Sequence, residues 1–257
     1  MAYQFIEVAR EGPLTLITLN RPEVMNAVHT HMHFEMDEAL NAFAADPEQW
    51  VAILTGAGER AFSAGNDLKW QASGGEMRSP GSGFAGLTSR FDLAKPLIAA
   101  VNGVAMGGGF EIALACDIII AAEHARMGLP EPRVGLAAGA GGVHRLPRQV
   151  PLKIAMGMML TAKPITAAEA HRWGVVNEVV PGKDLIATAE RWAGEIMECS
   201  PLSVQATKAT AMAGLGAPIE EALSRRYPSM ERLMKSKDAV EGPRAFAEKR
   251  KPNWTGE

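Results

Sequence analysis

Three consecutive glycines, Gly107 to Gly109, stand inside VNGVAMGGGFEIALACD, the run from Val101 to Asp117. An apolar strand-like stretch precedes them and a helix-like one follows, so the chain must turn sharply where strand gives way to helix. Glycine permits such a turn and lets the backbone come close to a ligand. A helix starting there aims unpaired N–H groups, with their partial positive charge, into the turn. Glu111 follows almost at once and shares a face with Gly108 on a first helical turn. An anion-stabilising N–H and an acid/base group are thereby directed at one point, which is the pairing that enolate chemistry needs.

A second glycine-bearing loop, AFSAGNDL at Ala61 to Leu68, precedes this run, and a second acid, Glu131, follows it. Pro130 and Pro132 flank Glu131 and stiffen the backbone around it. Alone, Glu131 reads as a surface glutamate in a turn. Paired with Glu111 it reads as half of a two-carboxylate site.

The rest of the chain alternates strand and helix signals. LTLITL at Leu14 to Leu19 reads as a strand, with QFIEVA as its hairpin partner across Glu11-Gly12-Pro13. A helix is predicted from about Thr30 to Ala44, with Met32, Met36, Ala39, Leu40 and Phe43 on one face. VAILT at Val51 to Thr55, PLIAAV at Pro96 to Val101 and DIIIAA at Asp117 to Ala122 read as buried strands. This alternation predicts an α/β fold with both strand faces covered. Gln71 to Gly86, rich in Gly and Ser, reads as a mobile surface loop and a candidate lid. From about Asp184 onward the strand signals stop. An α/β core over residues 1–190 is therefore expected to carry a helical region, 191–257, that caps it or binds a neighbouring subunit.

Composition narrows the function classes. The 257 residues are 47% hydrophobic, enough for a sizeable core, and the net charge of −3 argues against a general nucleic-acid surface. No apolar run approaches the ~20 residues that span a bilayer. MAYQFIEVAREG lacks the pattern of a secretory signal. Two cysteines, Cys116 and Cys199, make no disulfide framework, so a cytoplasmic setting with reduced thiols is expected.

Several motifs compete and lose. GAGERA at Gly56 to Ala61 matches a dinucleotide-binding turn, but no helix signal follows directly. HTHMH at His29 to His33 invites a metal, yet no third ligand has a diagnostic spacing, and an exposed helix start accounts for it. Ser63 lacks a nucleophile-elbow context, and Cys116 reads as a core filler. The glycine run lacks the Lys and Ser/Thr of a phosphate loop, and Glu111 would repel a phosphate.

LNRPEVMNAV, AFSAGNDL, KPLIAAVNGVAMGGGFEIALACD and AFAEKRKPNW occur in one order across nearly the whole chain. In these motifs the sequence resembles the enoyl-CoA hydratase/isomerase family, also called the crotonase family. The resemblance implies a crotonase-type ββα spiral core with a C-terminal helical oligomerisation region. It implies an oxyanion hole from the backbone N–H groups of Ala64 and Gly108, and acid/base work by Glu111 and Glu131. Coenzyme A contacts fall on Val24, Met25, Asn66, Asp67 and Leu68. Phe246 and Lys249, often supplied by a neighbouring subunit, add to these. Keeping both acids favours a hydratase or dehydratase, a hydro-lyase, with double-bond isomerisation as the nearest rival. No metal and no cofactor is implied beyond the coenzyme A of the acyl-CoA substrate, and a homotrimer or homohexamer is the implied assembly. Some members of the family bind RNA; the negative charge and the acid pair argue against that role. The chain departs from the family at Ala138, where a proline commonly stands before G-A-G-G. Trp70, the Gly/Ser loop and Ala138 all border the expected acyl end.

Overall fold

The computed structural model describes residues 3–257. Strand β1 (Ile6–Glu11) and strand β2 (Leu14–Leu19) form the expected antiparallel hairpin, with Glu11 opposite Leu14 and Ile6 opposite Leu19. Helix α1 (Thr30–Ala45) follows and buries Met32, Met36, Ala39, Leu40 and Phe43, the face read from their spacing. It also buries Thr30 and His33.

From Val51 the chain winds through a repeating unit. Strand β3 (Val51–Gly56), strand β4 (Ala61–Ser63) and helix α2 (Leu68–Ala72) make one turn. Strand β5 (Leu97–Val101), strand β6 (Val104–Met106) and helix α3 (Gly108–Ala115) make the next. Strand β7 (Ile118–Ala122), strand β8 (Arg126–Gly128) and helix α4 (Gly142–Gln149) make a third. In each turn the first strand joins a large sheet and the second a small one.

Helix α5 (Leu152–Thr161), strand β9 (Ile165–Thr166), helix α6 (Ala167–Arg172) and strand β10 (Glu178–Val180) complete this part of the chain. The large sheet has the order β1-β2-β3-β5-β7-β10 and the small one β4-β6-β8-β9. All pairings from β2 to β10 are parallel, as are β4-β6 and β6-β8. β3, β5 and β7 are almost wholly buried, as continuous apolar runs in a covered parallel sheet should be. This is the ββα spiral that the sequence implied.

Helix α7 (Leu185–Met197) packs on β3, β5 and β7, so the boundary drawn at residue 190 falls inside a helix of the core. Helix α8 (Pro201–Gly214), helix α9 (Ile219–Ser224), helix α10 (Pro228–Met234) and helix α11 (Lys237–Ala247) form the helical region. Pro201 and Pro228 each occupy the first helical position, where a missing N–H costs nothing. No helix among the described residues is long and apolar enough to cross a membrane.

Candidate active site

The small sheet assembles the site. In parallel sheets ligands bind beyond the carboxyl ends of the strands. β4 delivers Ala64 to Asp67, β6 delivers Gly107 to Glu111, and β8 delivers Leu129 to Glu131. β4 pairs with β6 and β6 with β8, so three consecutive turns of the spiral release their loops side by side.

The three glycines have three separate reasons to be glycine. Gly107 has φ +54°, and a Cβ there would lie 3.0 Å from Glu131 Oε1. A Cβ on Gly108 would fall 2.5 Å from the Phe84 ring, and one on Gly109 would meet the Ser63 carbonyl oxygen at 2.0 Å. The first lets Glu131 reach the turn, the second lets an aromatic ring cover it, and the third lets α3 press against β4. The Gly108 N–H, at the start of α3, has no hydrogen-bond partner among the described residues.

Ala64 departs from its expected role. Its N–H donates to the Met25 carbonyl at 2.9 Å and is not available to a ligand. The chain alternates from there. The Gly65 N–H donates to Ser63 Oγ at 3.1 Å and the Asp67 N–H to the Val28 carbonyl at 3.0 Å. The Asn66 N–H, between them, has no partner among the described residues. Gly65, with φ +86°, bridges the two loops: a Cβ on it would lie 2.8 Å from the Gly108 nitrogen. The free donor in this loop is therefore Asn66, two residues beyond the position expected.

Glu111 is 3% exposed, on the first turn of α3. The Gly142 N–H, at the start of α4, donates to its Oε1 at 2.8 Å. Burial pushes its pKa up to about 7, with the Gly142 N–H opposing and the Glu131 charge reinforcing the rise. Glu131 opens a short 3-10 turn (Glu131–Val134), and burial raises its pKa as well. Its Oε2 is buried without a partner among the described residues. A buried polar atom left unsatisfied is uncommon, and here it marks a place where a ligand can bond. Ala138, where the family commonly has proline, is buried against the Gly142 turn that serves Glu111.

The expected coenzyme A residues divide. Val24 and Met25 form a turn docked on Ala64, and Asn66 and Leu68 follow it, Leu68 being 45% exposed. The Asp67 carboxylate is already engaged: it accepts from Arg21 Nη1 at 2.8 Å and from the Trp70 N–H at 3.0 Å. Burial would raise its pKa, but those two donors outweigh it and hold the carboxyl below its ordinary value. Phe246 and Lys249 lie exposed on and just after α11, which packs on α8 and α10.

The rejected motifs have other uses. GAGERA runs from the end of β3 to the start of β4, with no helix after it. Ser63 Oγ donates to the Asn26 carbonyl at 2.8 Å, so the hydroxyl braces the loop. Cys116 is buried at the end of α3. HTHMH is not an exposed helix start: His29 and His33 are 3% and 2% exposed, and only His31 faces solvent. The missed signal for His33 was its spacing, since His33, Met36, Leu40 and Phe43 follow one helical face.

The chain is similar to known proteins over nearly its whole length. The enoyl-CoA hydratase/isomerase family model matches residues 9–257. A carnitinyl-CoA dehydratase from Salmonella arizonae is 47% identical, over 98% of each chain. The crystal structure of a carnitinyl-CoA hydratase from Mycobacterium avium has a TM-score of 0.80 at 44% identity and covers both chains fully. An enoyl-CoA hydratase from Mycobacterium tuberculosis reaches a TM-score of 0.92 at 38% identity, covering 98% of this chain and 99% of its own. The chain belongs to the enoyl-CoA hydratase/isomerase family.

Proposed function

We propose that the protein is a hydro-lyase that adds water reversibly across the α,β double bond of an acyl-CoA thioester. The observation that carries this reading is the convergence of a buried acid, Glu111, and a half-buried one, Glu131, on the turn that holds the free Gly108 N–H. The thioester oxygen accepts from Gly108 and Asn66. As electron density moves from the alkene to that oxygen, the two donors stabilise the enolate, helped by the start of α3. Losing one such donor typically costs about 2.7–4 kcal/mol of barrier. Glu111 orients water for attack at the β-carbon and takes its proton. Glu131 delivers a proton to the α-carbon. The two acids share one proton, and the reactive form is the one with Glu131 protonated and Glu111 ionised, which a Glu111 pKa of about 7 leaves populated near neutrality.

The reaction uses no group beyond the coenzyme A of the substrate. The names of the relatives support hydration and dehydration over isomerisation, and they make crotonobetainyl-CoA a substrate to include. Met212, Leu215, Ile219, Leu223, Met234 and Phe246 are each more than 60% exposed on the helical region. Such apolar exposure supports assembly of copies of this chain, as a trimer or a dimer of trimers. Phe246 and Lys249 then serve a neighbour's coenzyme A. A cytoplasmic setting suits a substrate of this kind.

The test is turnover of crotonyl-CoA in oxygen-18 water, with crotonobetainyl-CoA in parallel. Hydration incorporates label into the 3-hydroxyacyl product, whereas isomerisation does not. Glu131→Gln is expected to lower turnover by orders of magnitude with the fold intact. Unlabelled product, or near-normal turnover in Glu131→Gln, overturns the reading.

A further inference from the structure

The turn at Phe84–Gly86 stands over the site and is held from α1 by a side chain that the mechanism does not use. We propose that His33 is a positioning residue: its Nδ1 anchors this turn so that Phe84 closes over Gly108 and restricts the enzyme to short acyl groups. The inference rests on the acyl-CoA reading above and deepens it.

Ala85 has φ 50° and ψ 32°, a left-handed conformation that an L-residue adopts only when its surroundings impose it. It is fully buried, and its N–H donates to His33 Nδ1 at 2.8 Å. A buried N–H with no acceptor is costly, so the turn depends on that nitrogen's lone pair. The imidazole must therefore be neutral with its proton on Nε2. Burial, with the neighbouring His29, pushes the pKa of His33 down to about 4, so the acceptor is present at neutral pH. The His33 ring also meets the Phe84 ring edge to face, with centroids 4.5 Å apart.

The other end of the turn is held too. The Phe84 N–H donates to Thr88 Oγ1 at 2.9 Å, and the Thr88 carbonyl accepts from Arg145 Nη2 at 2.8 Å. A Cβ on Gly86 would fall 2.5 Å from Asp37 Cα, so the turn lies flat on α1. With both ends fixed, the Phe84 ring has one place to go. Its Cζ and Cε1 sit 2.5 and 2.6 Å from where a Cβ on Gly108 would be. A ring so close to an oxyanion donor stands beside whatever is attached to the thioester carbonyl. An apolar residue would suit the buried face of α1 at lower desolvation cost; the imidazole is accommodated there because it accepts.

The experiment compares His33→Asn, His33→Gln and His33→Leu with Phe84→Ala. Each is assayed for kcat and KM on crotonyl, hexenoyl and decenoyl thioesters of coenzyme A, with folding checked by circular dichroism. Asn places an acceptor where Nδ1 was, Gln places one nearer Nε2, and Leu keeps bulk without an acceptor. Asn is expected to keep the wild-type preference for the crotonyl thioester. Gln, Leu and Phe84→Ala are expected to lose it, with the ratio of crotonyl to decenoyl kcat/KM falling about tenfold or more. Should Leu fail to fold, Gln carries the comparison. A folded Gln or Leu variant with unchanged chain-length preference overturns the role of His33, and unchanged preference in Phe84→Ala overturns that of Phe84. Wild-type protein that hydrates crotonyl-CoA in either case leaves the proposed activity standing; wild-type protein that turns over no enoyl-CoA removes both.

Discussion

Gly142 donates its backbone N–H to Glu111 Oε1 at 2.8 Å, so the start of one helix fixes an acid on another. The partial positive charge of that helix start favours the carboxylate, whereas burial favours the acid. Burial dominates, and the pKa of Glu111 rises to about 7. For Glu111 and Glu131 acting as a base and an acid, turnover needs one proton on the pair. The expected kcat/KM profile is therefore bell-shaped, with its alkaline limb near neutrality. Steady-state assays on crotonyl-CoA between pH 5 and 9 check this. A profile flat across that range removes the shared-proton model.

The same shift makes a statement about stability. The pKa of Glu111 is raised on folding from 4.5 to about 7, so the native state binds the proton more tightly. Its contribution is intact below pH 4.5 and is lost as pH climbs towards 7. At about 1.4 kcal/mol per pH unit, the penalty at pH 8 is at most about 3.5 kcal/mol. Glu111→Gln keeps an oxygen for the Gly142 N–H and carries no charge. Its Tm is expected to exceed wild type at pH 8, and the gap should close towards pH 4.5. A gap that widens on acidification contradicts this assignment of the proton.

Gly65 sits where the two donor loops meet. An alanine methyl there would lie 2.6 Å from the Met106 carbonyl oxygen and 2.8 Å from the Gly108 nitrogen, at a φ of +86°. It would screen the very N–H that the mechanism needs. Gly65→Ala is expected to lower kcat on the order of 10²-fold, the scale of a lost oxyanion donor. Gly12→Ala is the control: its φ is also positive, at +54°, but a Cβ there meets nothing within 4 Å. Comparable loss of kcat in both variants would point to general destabilisation in place of a blocked donor.

Much of this arrangement was legible because some signals are long and others are chemically specific. β3, β5 and β7 are runs of five or six mostly apolar residues, and burial on both faces leaves no other reading for them. The small sheet was invisible, since β4 has three residues and β9 two, too few for any period to register. Its strand ends nevertheless carry the whole site. Glu111 and Gly108 stood out as candidates because glycines followed by an acid have a definite chemical meaning. The free N–H of this loop lies two residues beyond the expected position because no pattern in AFSAGNDL tells which N–H turns back to Met25. His33 was hidden by its type: a histidine among histidines at a helix start reads as polar surface, although its spacing placed it on the buried face. Helices α9 and α10 are separate because Pro228 begins a new helix after the break at Arg225.

Lys249 offers a test of assembly and binding together. It follows α11 in a left-handed conformation, φ 54°, and is exposed, as is Phe246 at 86%. If the lysine serves a neighbour's nucleotide, its ammonium should matter for the phosphates of coenzyme A and not for the chemistry. Lys249→Ala is then expected to raise KM for crotonyl-CoA about tenfold with kcat nearly unchanged, the signature of lost uniform binding. Crotonyl-pantetheine, which has no nucleotide, should show the same KM in variant and wild type. Static light scattering on both proteins fixes the assembly in each assay. Equal rises in KM for the two thioesters, or a wild-type monomer that binds crotonyl-CoA fully, would detach Lys249 from the nucleotide and leave the exposed end of α11 without a part in catalysis.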